Sequence, residues 1–338
     1  MVRAIGSCYG RVVVVSWPRF LRLRSTRMSS MTIAIAASGS RAGAAVRDAV
    51  LGAELLGRGA IGGFAVLALL SGDGQLHHCM TQRGGASCLD MPDAWLAAPT
   101  AAAISSGPDR PEPLVQFLPG AAGIGLVTGH RHPSRPGRDG AALNAAVLAL
   151  LGQGAAPQPA VASVLAANAE ADAGLIAIDA QGVLGWGNSE RVLRRSDLGQ
   201  FQRDDGSARV AILHNSIFSC APLAEQVGAL AWAQLTGLAG PIGWVRLAAA
   251  VPRRIAHRDR VHIDPSDAIT AIDSANPYVP TNLHRATVAY LGSEVWRHGV
   301  CVGRVMTELV ADVADGMVMP FGDAAHDAFL MRTDHVAS

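Results

Sequence analysis

Residues 58–85 read RGAIGGFAVLALLSGDGQLHHCMTQRGG. Gly59, Gly62 and Gly63 precede an apolar run, Gly72-Asp73-Gly74 interrupts it, and a second run ends in Thr81-Gln82-Arg83-Gly84-Gly85. A three-residue turn joins only antiparallel strands, so the stretch predicts a hairpin of 61–70 with 75–82. The glycines before and after it allow a backbone to approach a neighbour or a ligand closely.

On the N-terminal side, 41–56 carries Ala45, Val46, Ala49, Val50, Ala53 and Leu56 on one helical stripe. Before it, 32–37 (TIAIAA) reads as a short strand. On the C-terminal side, 86–119 holds six prolines and predicts an irregular excursion with a modest helix over 93–104. A buried strand follows at 123–128, then a polar loop over 130–140, helices over 141–151 and 159–167, and a second hairpin of 175–179 with 183–188. LLSGDGQLHHCMTQ and LIAIDAQGVLGWGN echo one another as strand, turn, strand. The pattern predicts an α+β protein of antiparallel hairpins layered with helices.

QFQRDDGSA at 200–208 is a polar break. We read 1–30 as a basic extension, 31–199 as the core, and 200–338 as an α+β region packed on it. The last region shows a strand at 209–218, a helix at 223–235, strands at 260–272 and 287–295, and a mixed helix-strand segment at 300–318.

The 338 residues suffice for a full apolar core, since half of them are hydrophobic. All 28 basic residues are arginine, which excludes lysine Schiff bases, Walker-type phosphate loops and Ser-Lys dyads. Net charge is +1 and no basic face predicts nucleic-acid binding. Five dispersed cysteines without a C-x-x-C pair predict reduced thiols and a cytoplasmic setting. No apolar run reaches the roughly 18 residues of a membrane span, and no metal-ligand spacing calls for a metal or other cofactor. The first thirty residues hold six arginines and no acid, which points to a translation start at Met28 or Met31.

Gly59-Ala60-Ile61-Gly62-Gly63 and Thr81-Gln82-Arg83-Gly84-Gly85 resemble the segment around the nucleophile of glycosylasparaginases and isoaspartyl peptidases, within the N-terminal-nucleophile (Ntn) hydrolase superfamily. GAALNAAVLALLGQG with VLAANAEADAGLIAIDAQGVLGWGN is similar to an uncharacterised bacterial family placed in that superfamily. The two matches cover about 90 residues of the chain. The resemblance implies an αββα layered sandwich. It also implies a Thr, Ser or Cys nucleophile whose own freed α-amine is the base, with Thr81, Gly84 and Gly85 around the oxyanion and Gly62 and Gly63 beside the substrate.

The nucleophile slot after Gly59 holds Ala60, which has no hydroxyl. Cleavage between 59 and 60 is therefore not expected. Two other residues offer one. Removal of Met31 would expose Thr32 as an N-terminal threonine, although the strand it begins runs into a helix and not into a hairpin. Thr128, in GIGLVTGHRHP, precedes His130, a candidate base. Arg83 is the candidate clamp for a substrate carboxylate. These residues predict hydrolysis of a small, carboxylate-bearing amide, with a small molecule as partner and a homo-oligomer as an option. The rival is a catalytically silent member of the fold that binds a metabolite or a protein.

Overall fold

The computed structural model describes residues 31–278, 280–322 and 326–334. The basic extension, Met28 and Cys8 lie outside the described residues. The protein is a mixed α+β structure. Strand β1 (Thr32–Ser38) is followed by α1 (Ala42–Leu56), the hairpin β2 (Phe64–Leu70) and β3 (Leu76–Thr81), and then β4 (Thr100–Ser106). Next come the short β5 (Gly120–Ala121), β6 (Gly125–Arg131), α2 (Leu143–Gly152), α3 (Pro157–Ala167), β7 (Ala173–Asp179) and β8 (Leu184–Asn188). The one-turn α4 (Glu190–Leu193), β9 (Leu198–Asp204), β10 (Arg209–Asn215) and α5 (Leu223–Thr236) complete this part.

Six strands form an antiparallel sheet in the order β3-β2-β4-β1-β10-β9, and four form a second in the order β5-β6-β7-β8. Alternation along each strand divides the apolar side chains between two faces. Ile33, Ile35, Ala101, Ala103, Val210 and Ile212 pack against α1 and α5. Ala34, Ala36, Ala102, Ile104 and Leu213 face Leu126, Ile176 and Ile178 of the second sheet. On the far side of that sheet, Val127, Leu175 and Ala177 meet Val147 of α2 and Val161 of α3. β1 and β4 are buried on both faces, which explains why their central residues are apolar at every position.

The six-stranded sheet extends beyond residue 199, because β10 lies between β1 and β9, and α5 packs beside α1. The first layered unit therefore includes residues up to about 236. Residues 242–333 form a ten-stranded sheet around a core of its own. Its strand β11 (Ile242–Arg246) pairs with Ala328–Thr333. Ala328 and Leu330 enter the first core beside Ile242 and Trp244, while Phe329 and Met331 enter the second. Strands replace the mixed segment read over 300–318.

Candidate functional site

Thr32 opens β1 in the middle of the six-stranded sheet. Its cross-strand neighbours are Ser106 at the end of β4 and Asn215 at the end of β10, and Phe64 lies opposite Ser106 on β2. All four share the face that carries Ala34, Ile104 and Leu213, so one end of the space between the sheets gathers polar groups. The Thr32 Oγ1 lies 3.2 Å from the Ser106 Oγ. Ser106 donates its own proton to the Met31 carbonyl, which leaves its oxygen to accept from Thr32. Arg110 adds a second donor to that oxygen through Nη2 at 2.5 Å and holds the Gly107 carbonyl through Nε at 3.2 Å. Behind Thr32, Asn215 meets Nδ1 of the fully buried His130 at 3.1 Å, and Asn188 meets its Nε2 at 2.7 Å. Burial lowers the His130 pKa, opposed by the two asparagine hydrogen bonds, which raise it.

A cavity of about 340 Å³ opens onto this end, lined by Thr32, Ser106, Arg110, Arg131, His132 and Arg135 among others. Phe64 and Phe117 supply an apolar wall, edge to face with centroids 5.0 Å apart. Arg131 is fixed by Asp172, which accepts from Nε at 2.9 Å and from Nη2 at 2.6 Å. The pair holds the Asp172 carboxyl below the usual carboxylate range. Burial, then the charge of Arg135, pushes the His132 pKa down. The described residues hold no cluster of three or more His, Cys, Asp or Glu able to bind a metal.

Residues 32–244 match the profile of a domain family of unknown function, DUF6963. The chain belongs to this family. The DUF6963 segment opens on Thr32 and spans the six-stranded and four-stranded sheets and α1 to α5. A second domain of unknown function, DUF7259, matches residues 250–326. No curated protein and no solved structure matches. Among the described residues no helix is long and apolar enough to cross a membrane.

Within the DUF6963 segment, the glycines of 58–85 buttress the Thr32 end of the sheet. Ala60 donates its N–H to the Met31 Sδ at 2.8 Å, Gly63 donates to the Ser106 carbonyl at 3.0 Å, and Gly85 donates to the Gly63 carbonyl at 2.7 Å. Gly62 packs against Glu54 of α1. Glu54 accepts from the Ser105 hydroxyl at 2.5 Å and from the Ala86 N–H at 2.8 Å, and burial pushes its pKa up to about 7. Thr81 donates to the Arg83 carbonyl at 2.6 Å, and exposed Arg83 pairs with exposed Asp109 at 2.7 Å. Gly84 begins the short turn over Gly85–Cys88. None of Thr81, Arg83, Gly84 and Gly85 lines the cavity.

Thr128 and His130 share the inter-sheet face but do not hydrogen-bond to each other. The Thr128 hydroxyl is buried and donates to the Ala103 carbonyl at 3.0 Å, while both His130 nitrogens are held by asparagines. Of the candidate residues, Thr32 alone lines the cavity. His214-Asn215-Ser216 stands out in the sequence as a polar strand end, whereas Ser106, Arg110, Arg131 and Arg135 do not stand out. HRHPSR at 130–135 is the available signal, an alternation of basic groups across the end of a strand.

Proposed function

We propose that this protein hydrolyses a small amide with Thr32 as nucleophile, on an αββα sandwich of the Ntn-hydrolase kind. The observation that carries the reading is the Thr32 hydroxyl at the head of a central strand, facing a cavity and hydrogen-bonded to a serine that itself grips the preceding carbonyl. Cleavage of the Met31–Thr32 bond frees an α-amine on the residue that bears the hydroxyl, and that amine takes the Oγ1 proton. Oγ1 then attacks the substrate carbonyl. The Ser106 O–H, which donates to the Met31 carbonyl, donates to the developing oxyanion in the same place. The departing amine leaves with the proton held by the α-amine, and water releases the acyl group from Thr32 with the α-amine again as base. Ala60 has no part in this scheme, which removes the objection raised by its missing hydroxyl.

The test begins with the intact mass of the purified protein, expected to start at Thr32 with no fragment ending at Gly59. Thr32→Ala should then lower turnover of small amides by about 10³-fold or more while the protein stays folded. The rate should rise with pH through the α-amine titration, ordinarily near 7.7–8.0. A Thr32→Ala enzyme of near-normal rate sinks the proposal. Stabilisation by an amide that is never turned over favours the silent binder instead.

A further inference from the structure

We infer that the amide handled at Thr32 is an N-acyl amino acid, with its carboxylate gripped by Arg131 and covered by Arg135; this rests on the hydrolase reading above. Among the described residues the lining carries Arg110, Arg131, Arg135 and His132 and no carboxylate. Three guanidiniums stand against Asp172, the ion-pair partner of Arg131, so the region holds a surplus of positive charge. His132 feels the charges of all three arginines, which places them around one point. With its pKa lowered it is neutral near pH 7 and offers hydrogen bonds without further charge.

Arg131 makes the recognition specific. Its side chain is only 9% exposed, and Asp172 fixes it through Nε and Nη2. Its Nη1 is buried and has no hydrogen-bond partner among the described residues. An unmatched buried guanidinium donor is costly, and a carboxylate oxygen is the acceptor that suits it best. Arg135 is exposed and lines the same cavity, so it can fold over a bound anion. The volume is at the low end for ligand sites, so carboxylate and amide lie only a few atoms apart in the substrate. The Phe64–Phe117 wall takes an apolar side chain.

N-acetylleucine and its neutral carboxamide, N-acetylleucinamide, are the probes. Wild type should prefer the acid by at least about tenfold in kcat/KM. Arg135→Gln should raise KM for the acid severalfold, and by much more than for the neutral amide, while kcat for the acid changes less than KM. Arg131→Gln should abolish the preference. Should that variant fail to fold with Asp172 unpaired, exposed Arg135 decides the matter. Calorimetry on Thr32→Ala measures binding without turnover. Binding of the acid that is lost in Thr32→Ala/Arg135→Gln upholds the anion site even if wild type hydrolyses no amide. Equal turnover of the two probes, or equal binding of both, overturns the inference while leaving the hydrolase reading intact.

Discussion

Glu54 shows how one buried group ties stability to pH at the edge of the site. Its carboxyl joins α1 to β4 through Ser105 and to the glycine turn through Ala86. Burial outweighs both hydrogen bonds, so the folded pKa is about 7 against an ordinary 4.5. The folded state therefore holds this proton more tightly than the unfolded chain between those values. Stability falls as pH rises from 4.5 to 7, and the loss is complete above 7. Glu54→Gln keeps an acceptor for Ala86 and cannot ionise. It should match wild type near pH 4 and gain up to about 3 kcal/mol by pH 8, measured by urea unfolding. A difference independent of pH would show that Glu54 is not the titrating group. The same variant should keep the Ser106–Thr32 contact, since Ser105 and Ser106 point to opposite faces of β4.

At the scale of elements, α3 is seated on the edge strand β8 by a missing side chain. A Cβ on Gly185 would fall 2.2 Å from the Gln158 nitrogen and the Pro157 carbonyl carbon, so the helix would have to move. Gln158 then covers the exposed edge, donating to the Trp186 carbonyl at 3.1 Å and accepting its N–H at 2.9 Å. Gly185→Ala should cost about 1–3 kcal/mol in urea unfolding. Gly72→Ala, with nothing near its Cβ position, should be close to neutral, and equal effects of the two would refute the packing argument. Elements were legible where local chemistry decided them. The turns at Gly72–Gly74 and Asp179–Gly182 declared hairpins, and α1 to α3 showed themselves in helical periodicity or flanking glycine and proline. β4 was not legible. Its TAAAISS text favours helix by propensity, and only the partners on either side make it a strand. The helix expected over 93–104 overlaps Thr100–Ile104 of β4, and the irregular text after it gives no sign of a strand end at Ser106 or of Arg110 beside it. Thr32 was visible as a residue, whereas the serine and asparagine beside it arise from pairings that no local pattern records.

For the whole molecule, Ala328–Thr333 serves two cores at once. Leu330 and Ala328 fill the first and Phe329 and Met331 the second. A chain ending at residue 248 would take Ala328 and Leu330 out of the first core, and the loss of the Leu330 side chain alone costs about 2–5 kcal/mol. Such a chain should unfold at markedly lower urea than the full chain, and an unchanged midpoint would show that the layered unit stands alone. The position of β10 carries a different consequence, in time. Thr32 and its neighbour Asn215 are separated by 183 residues, yet they sit side by side in one sheet. At ordinary synthesis speeds roughly 10–40 s pass between their emergence from the ribosome. Throughout that interval β1 lacks its β10 partner, so the nascent chain carries a threonine but not the site. The hydroxyl gains its full surroundings only once β10 has been made, so a half-made chain carries Thr32 without the Asn215 that lies beside it in the finished sheet.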